Sequence, residues 1–511
     1  MSANFILSID QGTTGSTVVV FAVSPQKEMT VIGRSTVDYP QHYPETGWVE
    51  HDLDELWQSV CSAANQAIER ANTNKDFSVN KIATIGITNQ RETLSVFDRK
   101  TSKPLMRAIV WQCKRSTSIC QEWRKSGLSE QVKAKTGLVL DPYFSGSKLA
   151  WILRNRPDVA DRLQKGDAVI GNIDTYILHK LTSGGSHATD ASNASRTLMY
   201  DIGQGSFDSG LIEMVGLKNR EVLPRVLNSA DQFGRTKGCS FLPDGIAING
   251  ILGDQQAALA GQTCFEPGEA KCTYGTGAFM LLNLGEKKTL SNNGLLTTVA
   301  WQIGGVRTYC LEGSSFIAGA AMQFLRDQLG WLEKASDSEA MAADARGAPE
   351  VVFVPSLAGL GAPDWNPNAR GAFFGLTRGT TQKQLIRAAL EGVAFQVNDL
   401  MVAMNRDAVA PVKVLRVDGG AAANNLLMQM QANFSSVTVD RPVNLETTAS
   451  GAALFAGLGA GIFGSFAEMR SARRPDRIFS TEKSSAAVEM TRTQLAAWDR
   501  AKKAVQVFAG G

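Results

Sequence analysis

The chain has 511 residues, too many for one simple core, so two large domains are expected. Hydrophobic residues make up 43%, enough for a sizeable core in each domain. Lys+Arg number 52 against 49 Asp+Glu, a net charge of +3 that excludes any general pull toward nucleic acid or an anionic membrane.

Met1-Ser2-Ala3-Asn4-Phe5 has no basic start and no cleavage site, which argues against a signal peptide. The opening reads as strand, tight turn, strand: Phe5–Ile9 is mostly apolar, Gln11–Gly15 supplies turn residues, and Thr17–Phe21 is β-branched and aromatic. A helix over 53–71 follows, with Asp52 as its cap, Glu55 three residues on completing a capping box, and Leu53, Leu56, Trp57, Val60 and Ala64 at helical spacing. Strands are predicted at Ile82–Thr88, Leu94–Phe97 and Ile109–Trp111, and the continuing alternation of strands and helices gives an α/β class.

The second half repeats the opening theme. Ala270–Thr273 and Phe279–Asn283 read as strands around Tyr274-Gly275-Thr276-Gly277, and Val414–Val417 runs into Asp418-Gly419-Gly420, with a helix starting near Asn424 and Asn425. One strand–Gly/Thr-turn–strand unit in each half predicts two related domains across a cleft, 1–253 and 254–511. Thr447–Ala467 is uncharged and long enough for a membrane span. Its small residues instead favour a helix packed inside a domain, and no second span accompanies it. The seven cysteines are scattered with no Cys-x-x-Cys, and histidines number four, which argues against a structural zinc site and for free thiols in a reducing, cytoplasmic compartment.

Several segments have a chemical and a plain structural reading. Asp10-Gln11-Gly12-Thr13-Thr14 offers turn amides and hydroxyls to an anion, with an Asp suited to hold Mg²⁺ through water, or is an ordinary polar hairpin turn. Tyr274–Gly277 follows the same logic, and two such turns suit a polyphosphate gripped from both sides. Small residues at Asp418–Asn424 leave room for a flat adenine ring, with Asn424 at its edge, or serve close helix–strand packing. Asp254, after Ile251-Leu252-Gly253, is a general base for a hydroxyl or a helix N-cap. Arg91-Glu92 suits a small polyol, or is a solvated surface pair. Trp111 backs the carbon face of a substrate or fills the core.

Together with Tyr143–Asn155 and the stretch Gly371–Leu376 through Gln384–Glu391, these segments resemble the FGGY family of carbohydrate kinases from Phe5 to about Phe466. Gly47–Asp52, Gly86–Glu92, Val110–Cys113, Asp141–Gly146, Gly253–Gln256 and Gly294–Thr298 are most similar to the members that phosphorylate glycerol. The resemblance implies an α/β fold of two actin-like (ribonuclease H-like) domains facing across a nucleotide-binding cleft. It implies transfer of the ATP γ-phosphate to glycerol, by a cytoplasmic homo-oligomer (dimer or tetramer). It places Arg91, Glu92, Tyr143, Asp254 and Gln255 on glycerol, with Trp111 and Phe279 against its carbons. Asp10 would serve Mg²⁺, Thr13, Thr14, Gly15 and Thr276 the phosphates, and Gly319, Gln323, Gly420 and Asn424 the nucleotide.

The chain departs from the family pattern where an Arg is usual: it has Thr17, and Gly15 stands for a common Ser, so a weaker nucleotide KM is expected unless another cation fills in. The basic loop that binds a sugar bisphosphate in bacterial relatives is reduced to Gly234–Cys239, and the segment that binds a phosphotransferase protein is not recognisable near Asp476–Glu489. Two rival readings are a kinase for another small polyol or sugar, and an ATP-driven binding or filament protein sharing only the turns.

Overall fold

A computed structural model describes residues 4–345, 350–408 and 410–510. Met1, Ser2 and Ala3, part of the reading of the N-terminus, lie outside the described residues.

Two mixed sheets organise the chain. The first has six strands in the spatial order Ala230–Arg235, Ala247–Gly253, Ile82–Asn89, Asn4–Gln11, Gly15–Val23, Met29–Asp38. The second has seven: Leu296–Ile303, Val306–Ser315, Ala278–Gly285, Ala270–Tyr274, Val414–Asp418, Thr438–Pro442, Pro475–Phe479. The expected repeat is visible in the pairing. Asn4–Gln11 runs antiparallel to Gly15–Val23 and parallel to Ile82–Asn89, as Ala270–Tyr274 runs antiparallel to Ala278–Gly285 and parallel to Val414–Asp418. The α/β class and the paired actin-like sheets are therefore as read from the chain.

Two helices of small residues, Asp254–Gly261 and Thr447–Gly459, fill the layer between the sheets. Close approach explains their composition. A Cβ on Gly451 would lie 1.8 Å from the Ala257 carbonyl oxygen, and one on Gly261 would lie 1.9 Å from that of Thr447. Thr447–Gly459 also lies on the first sheet, where a Cβ on Gly86 or Gly250 would strike its backbone at 2.3 Å. The uncharged stretch is thus a packed interior helix, and among the described residues no helix is long and apolar enough to cross a membrane.

Side chains alternate along a strand, so each sheet presents one face to this layer. Ile6, Ser8 and Asp10 share that face of the first sheet. On the second, pairing of Lys271 and Phe279 with their neighbours puts Lys271, Thr273, Phe279, Glu312 and Asp418 on one face. Helix Leu53–Ala71 covers the far side of the first sheet through Leu53, Leu56, Val60 and Ala64. Asp52 caps it as expected, accepting from the Asp54 and Glu55 amides, but the capping box does not form: the Glu55 carboxylate is taken by His42 Nε2 at 2.8 Å. A further cluster of helices within Thr117–Val215 has its own core around Phe144, Leu149 and Ile152.

Candidate active site

The opening turn is held rigid from behind. Gly12 N–H donates to Gly15 O at 2.9 Å, closing it. The Tyr39 hydroxyl lies 2.8 Å from both Gly12 O and Thr13 O and can donate its one proton to either, Gln41 Nε2 donates to Thr13 O, and Thr14 O accepts from the Tyr39 amide. With the carbonyls engaged by protein, the threonine hydroxyls and half-exposed turn amides are what the loop offers to a ligand. Gly15 packs closely on the next strand, where a Cβ would lie 2.6 Å from the movable Asp38 Oδ1 and 3.1 Å from Val37 O.

The second turn repeats the closure, with Gly275 N–H donating to Gly277 O at 2.9 Å. It is sewn to helix Gly319–Asp327 by the Gly319 amide on Gly275 O at 2.9 Å, and a Cβ on Gly319 would meet that oxygen at 2.7 Å. Beside it opens a cavity of about 340 Å³ lined by Thr276, Gly319, Gln323, Gly420 and Asn424, all five named from the chain as nucleotide residues. A Cβ on Gly420 would meet no atom within 4 Å, so the bareness of this residue keeps the cavity open. The Asn424 carboxamide is engaged by protein: Oδ1 caps helix Asn425–Ser435 through Leu427 N–H at 2.9 Å, and Nδ2 lies 3.4 Å from Ser338 Oγ.

Asp10 is the penultimate residue of the first strand, near where the two central helices begin. Its carboxyl is pushed well above the usual range by burial and by the nearby Asp254 and Glu446 carboxylates, with Arg34 pulling it back.

The Arg91-Glu92 pair is not a solvated surface pair. Both side chains are 2% exposed and belong to a four-membered ionic cluster. Glu312, from the second sheet, accepts from Arg91 Nη1 at 2.5 Å and Nη2 at 3.0 Å, and from Arg196 Nη2 at 2.9 Å. Arg196 Nε donates to Glu92 Oε1 at 2.5 Å. Glu92 holds a positive φ of 59°, a conformation that costs energy for a non-glycine residue and places it against these partners.

Asp254 is the first residue of its helix, not its cap, which is Gly253. Its Oδ1 accepts from the Gln255 amide at 2.7 Å and lies 3.1 Å from Arg91 Nε, leaving Oδ2 without a protein partner among the described residues. Burial raises its pKa, against the lowering charges of Arg91 and Lys271. Trp111 follows strand Ala108–Ile109 rather than ending it. It is half-buried, donates from Nε1 to Thr13 Oγ1 at 3.0 Å, and meets Tyr143 edge-on at 5.5 Å. The Tyr143 ring in turn lies 5.6 Å from the Arg196 guanidinium. Arg91, Glu92, Tyr143, Trp111, Asp254 and Gln255 thus form one connected group adjoining the opening turn. Phe279 is half-buried on the face that also carries Lys271 and Glu312.

Sequence reasoning missed Glu312, Arg196 and Lys271. The signal was there for two of them: Glu312 is a lone charge in Cys310-Leu311-Glu312-Gly313, and Lys271 a lone charge in Ala270–Thr273, both in strands that bury everything around them. Thr17 makes a hydroxyl contact with Thr36 at 2.9 Å, and Arg34, two residues away on that strand, pairs with Glu446 at 2.7 Å.

The profile of the FGGY family of carbohydrate kinases, N-terminal domain, matches residues 5–261, and that of its C-terminal domain matches 270–460. A protein named glycerol kinase from Myxococcus xanthus is 48% identical over 501 residues, covering 98% of this chain and 99% of the relative. One of the same name from Carboxydothermus hydrogenoformans is 47% identical over 502 residues, 98% of each chain. Among solved structures, Plasmodium falciparum glycerol kinase with ADP superposes with a TM-score of 0.90 at 34% identity, over 99% of this chain and 98% of that one. Gluconate kinase from Lactobacillus acidophilus, at 21% identity and a TM-score of 0.86, shares the fold.

Proposed function

The chain belongs to the FGGY family of carbohydrate kinases, and from that premise we propose that it phosphorylates glycerol to sn-glycerol 3-phosphate with ATP, using Asp254 as the general base. The observation that carries the reading is Asp254 itself, with Oδ1 tied to Arg91 and its own helix and Oδ2 open beside a buried Arg–Glu pair. Oδ2 accepts the proton of a terminal hydroxyl as that oxygen attacks the γ-phosphorus in line. A positioned base contributes about 10²–10⁴-fold. Its raised pKa brings it toward the operating pH, where a base works best.

Arg91, held by Glu312, donates to a second hydroxyl, and Glu92 keeps Oε2 free to accept from a third. Trp111, Tyr143 and Phe279 bound the carbon side. Thr13, Thr14, Gly15 and Thr276 meet the phosphates, while Gly319, Gln323 and Gly420 shape the nucleoside cavity and Asn424 contributes its wall.

Asp10 fits Mg²⁺. The Asp254 and Glu446 carboxylates repel the charge on Asp10, and a divalent cation held there would relieve that repulsion. Among the described residues no set of three His, Cys, Asp or Glu forms a metal cage, and Mg²⁺ commonly keeps several waters and binds through one or two carboxylates and substrate phosphates. When bound, the ion neutralises charge on the transferring phosphoryl group. The seven free cysteines support a reducing, cytoplasmic setting.

A coupled assay of ADP release with glycerol, dihydroxyacetone, erythritol and xylulose tests the reading. Glycerol is expected to give the highest kcat/KM; a higher value for a pentulose would transfer the site to another substrate of the family.

A further inference from the structure

We propose that Lys271 is a positioning residue that decides which end of the Gln255 carboxamide meets the substrate. The proposal rests on the glycerol kinase reading above and adds a residue to it.

Lys271 is 0% exposed, on the face of the second sheet that looks at the Asp254–Gly261 helix. Its Nζ donates to Gln255 Oε1 at 2.5 Å and to Thr273 Oγ1 at 2.8 Å. Among the described residues, no carboxylate forms an ion pair with it within 4 Å; Asp254 and Asp418 act on it only through space. Burying an ammonium without a contact partner of opposite charge is costly, so the lysine is not there for stability alone.

An ammonium is a donor only, and the two ends of a glutamine carboxamide are chemically opposite. Lys271 can bond only the oxygen. Gln255 Oε1 is thereby committed, and Nε2, which has no protein partner among the described residues, is the end left for the cleft. The neighbouring Asp254 leaves an acceptor, Oδ2, open. Consecutive residues at the start of one helix thus present a donor beside an acceptor. A substrate oxygen that receives from Gln255 sits next to the oxygen that yields its proton to Asp254. Without Lys271 the carboxamide is free to turn over and offer its oxygen, so the substrate oxygen loses its fixed donor and can keep a contact only by reversing its own hydroxyl.

Steady-state kinetics of the full chain with glycerol test this, using Lys271→Met, Gln255→Ala and the double variant. Lys271→Met is expected to raise KM for glycerol roughly tenfold, the size of one lost hydrogen bond, with KM for ATP unchanged. The double variant is expected to be no worse than the worse single, because both changes remove the same contact. Fold-changes that multiply, or an unchanged glycerol KM in Lys271→Met, would overturn the assignment. Gln255→Glu keeps the lysine paired and the side-chain volume nearly the same, yet removes the donor. It is expected to raise glycerol KM as Lys271→Met does, and a normal KM would overturn the proposal even if the lysine variant does not fold. An unmodified chain that does not turn over glycerol would defeat the underlying reading. Turnover with multiplying effects would defeat the Lys271 assignment alone.

Discussion

Arg91 and Glu312 stand 221 residues apart in the chain and meet as a two-pronged ion pair, Nη1 to Oε2 at 2.5 Å and Nη2 to Oε1 at 3.0 Å. One lies two residues beyond a strand of the first sheet, Ile82–Asn89, the other within a strand of the second. The pair therefore links the sheets beside the proposed substrate site.

Glu312→Ala would leave the Arg91 and Arg196 guanidinium groups buried without their shared partner. A loss of about 3–5 kcal/mol is expected, measured by urea unfolding. Burial pushes the Glu312 carboxyl up, but Arg196 and Arg91 outweigh it and hold the pKa at about 2, below the unfolded value of 4.5. The unfolded chain then binds the extra proton first, so this contribution is complete above 4.5 and is lost as pH falls toward 2. The urea midpoint of Glu312→Gln should fall less steeply with acid over that window than that of the unmodified chain.

Asp254→Asn removes the proton acceptor while keeping shape and hydrogen bonding. A fall in kcat of about 10²–10⁴ is expected with glycerol still bound, read by calorimetry beside initial rates. In the unmodified enzyme the carboxyl must be ionised to act. Activity is expected to fall on the acid side at a pH above the ordinary aspartate value of 3.8, because burial raises this group.

Thr17→Arg would set a guanidinium on the strand position paired with Asp10, at the edge of the opening turn. KM for ATP is expected to fall several-fold, and an unchanged value would show that the position does not reach the phosphates. Arg34, which acts on Asp10 and pairs with Glu446, is the cation available to substitute in the natural chain. Arg34→Ala should raise KM for ATP, and should do so less in the Thr17→Arg background.

Gly451→Ala drives a methyl to within 1.8 Å of the Ala257 carbonyl oxygen, and neither backbone can yield cheaply. Overpacking of this kind costs about 1–3 kcal/mol, with a lower thermal midpoint expected. Because Asp254 begins the helix that contains Ala257, glycerol turnover should fall as well; Gly379→Ala, at an exposed turn where a Cβ would meet only Thr377 Oγ1 at 3.9 Å, controls for the mutation itself.

What the sequence made legible was local. The strand–turn–strand opening, its echo at Tyr274–Gly277 and the helix at 53–71 are written in adjacent residues. What stayed hidden depended on contacts between distant parts. The Arg91-Glu92 pair reads as surface charge until Glu312 and Arg196 close over it. Lys271 reads as a lone charge in an apolar strand, and only the register turns it toward Gln255. Glu55 has the spacing of a capping box, and only the fold brings His42 to claim its carboxylate. Asp254 lies one position inside the helix it was expected to cap, a shift that pattern reading cannot resolve.

The helix Thr447–Gly459 covers strands completed by residue 253. During synthesis, then, the ribosome must add roughly two hundred further residues before the inner surface of the first sheet receives its cover. Until that helix emerges, the bare glycines at 86 and 250 and the apolar side chains beside them are open to chaperones and to other nascent chains. A stop codon upstream of residue 447 would therefore cost the early half of the protein its solubility as well as its late half.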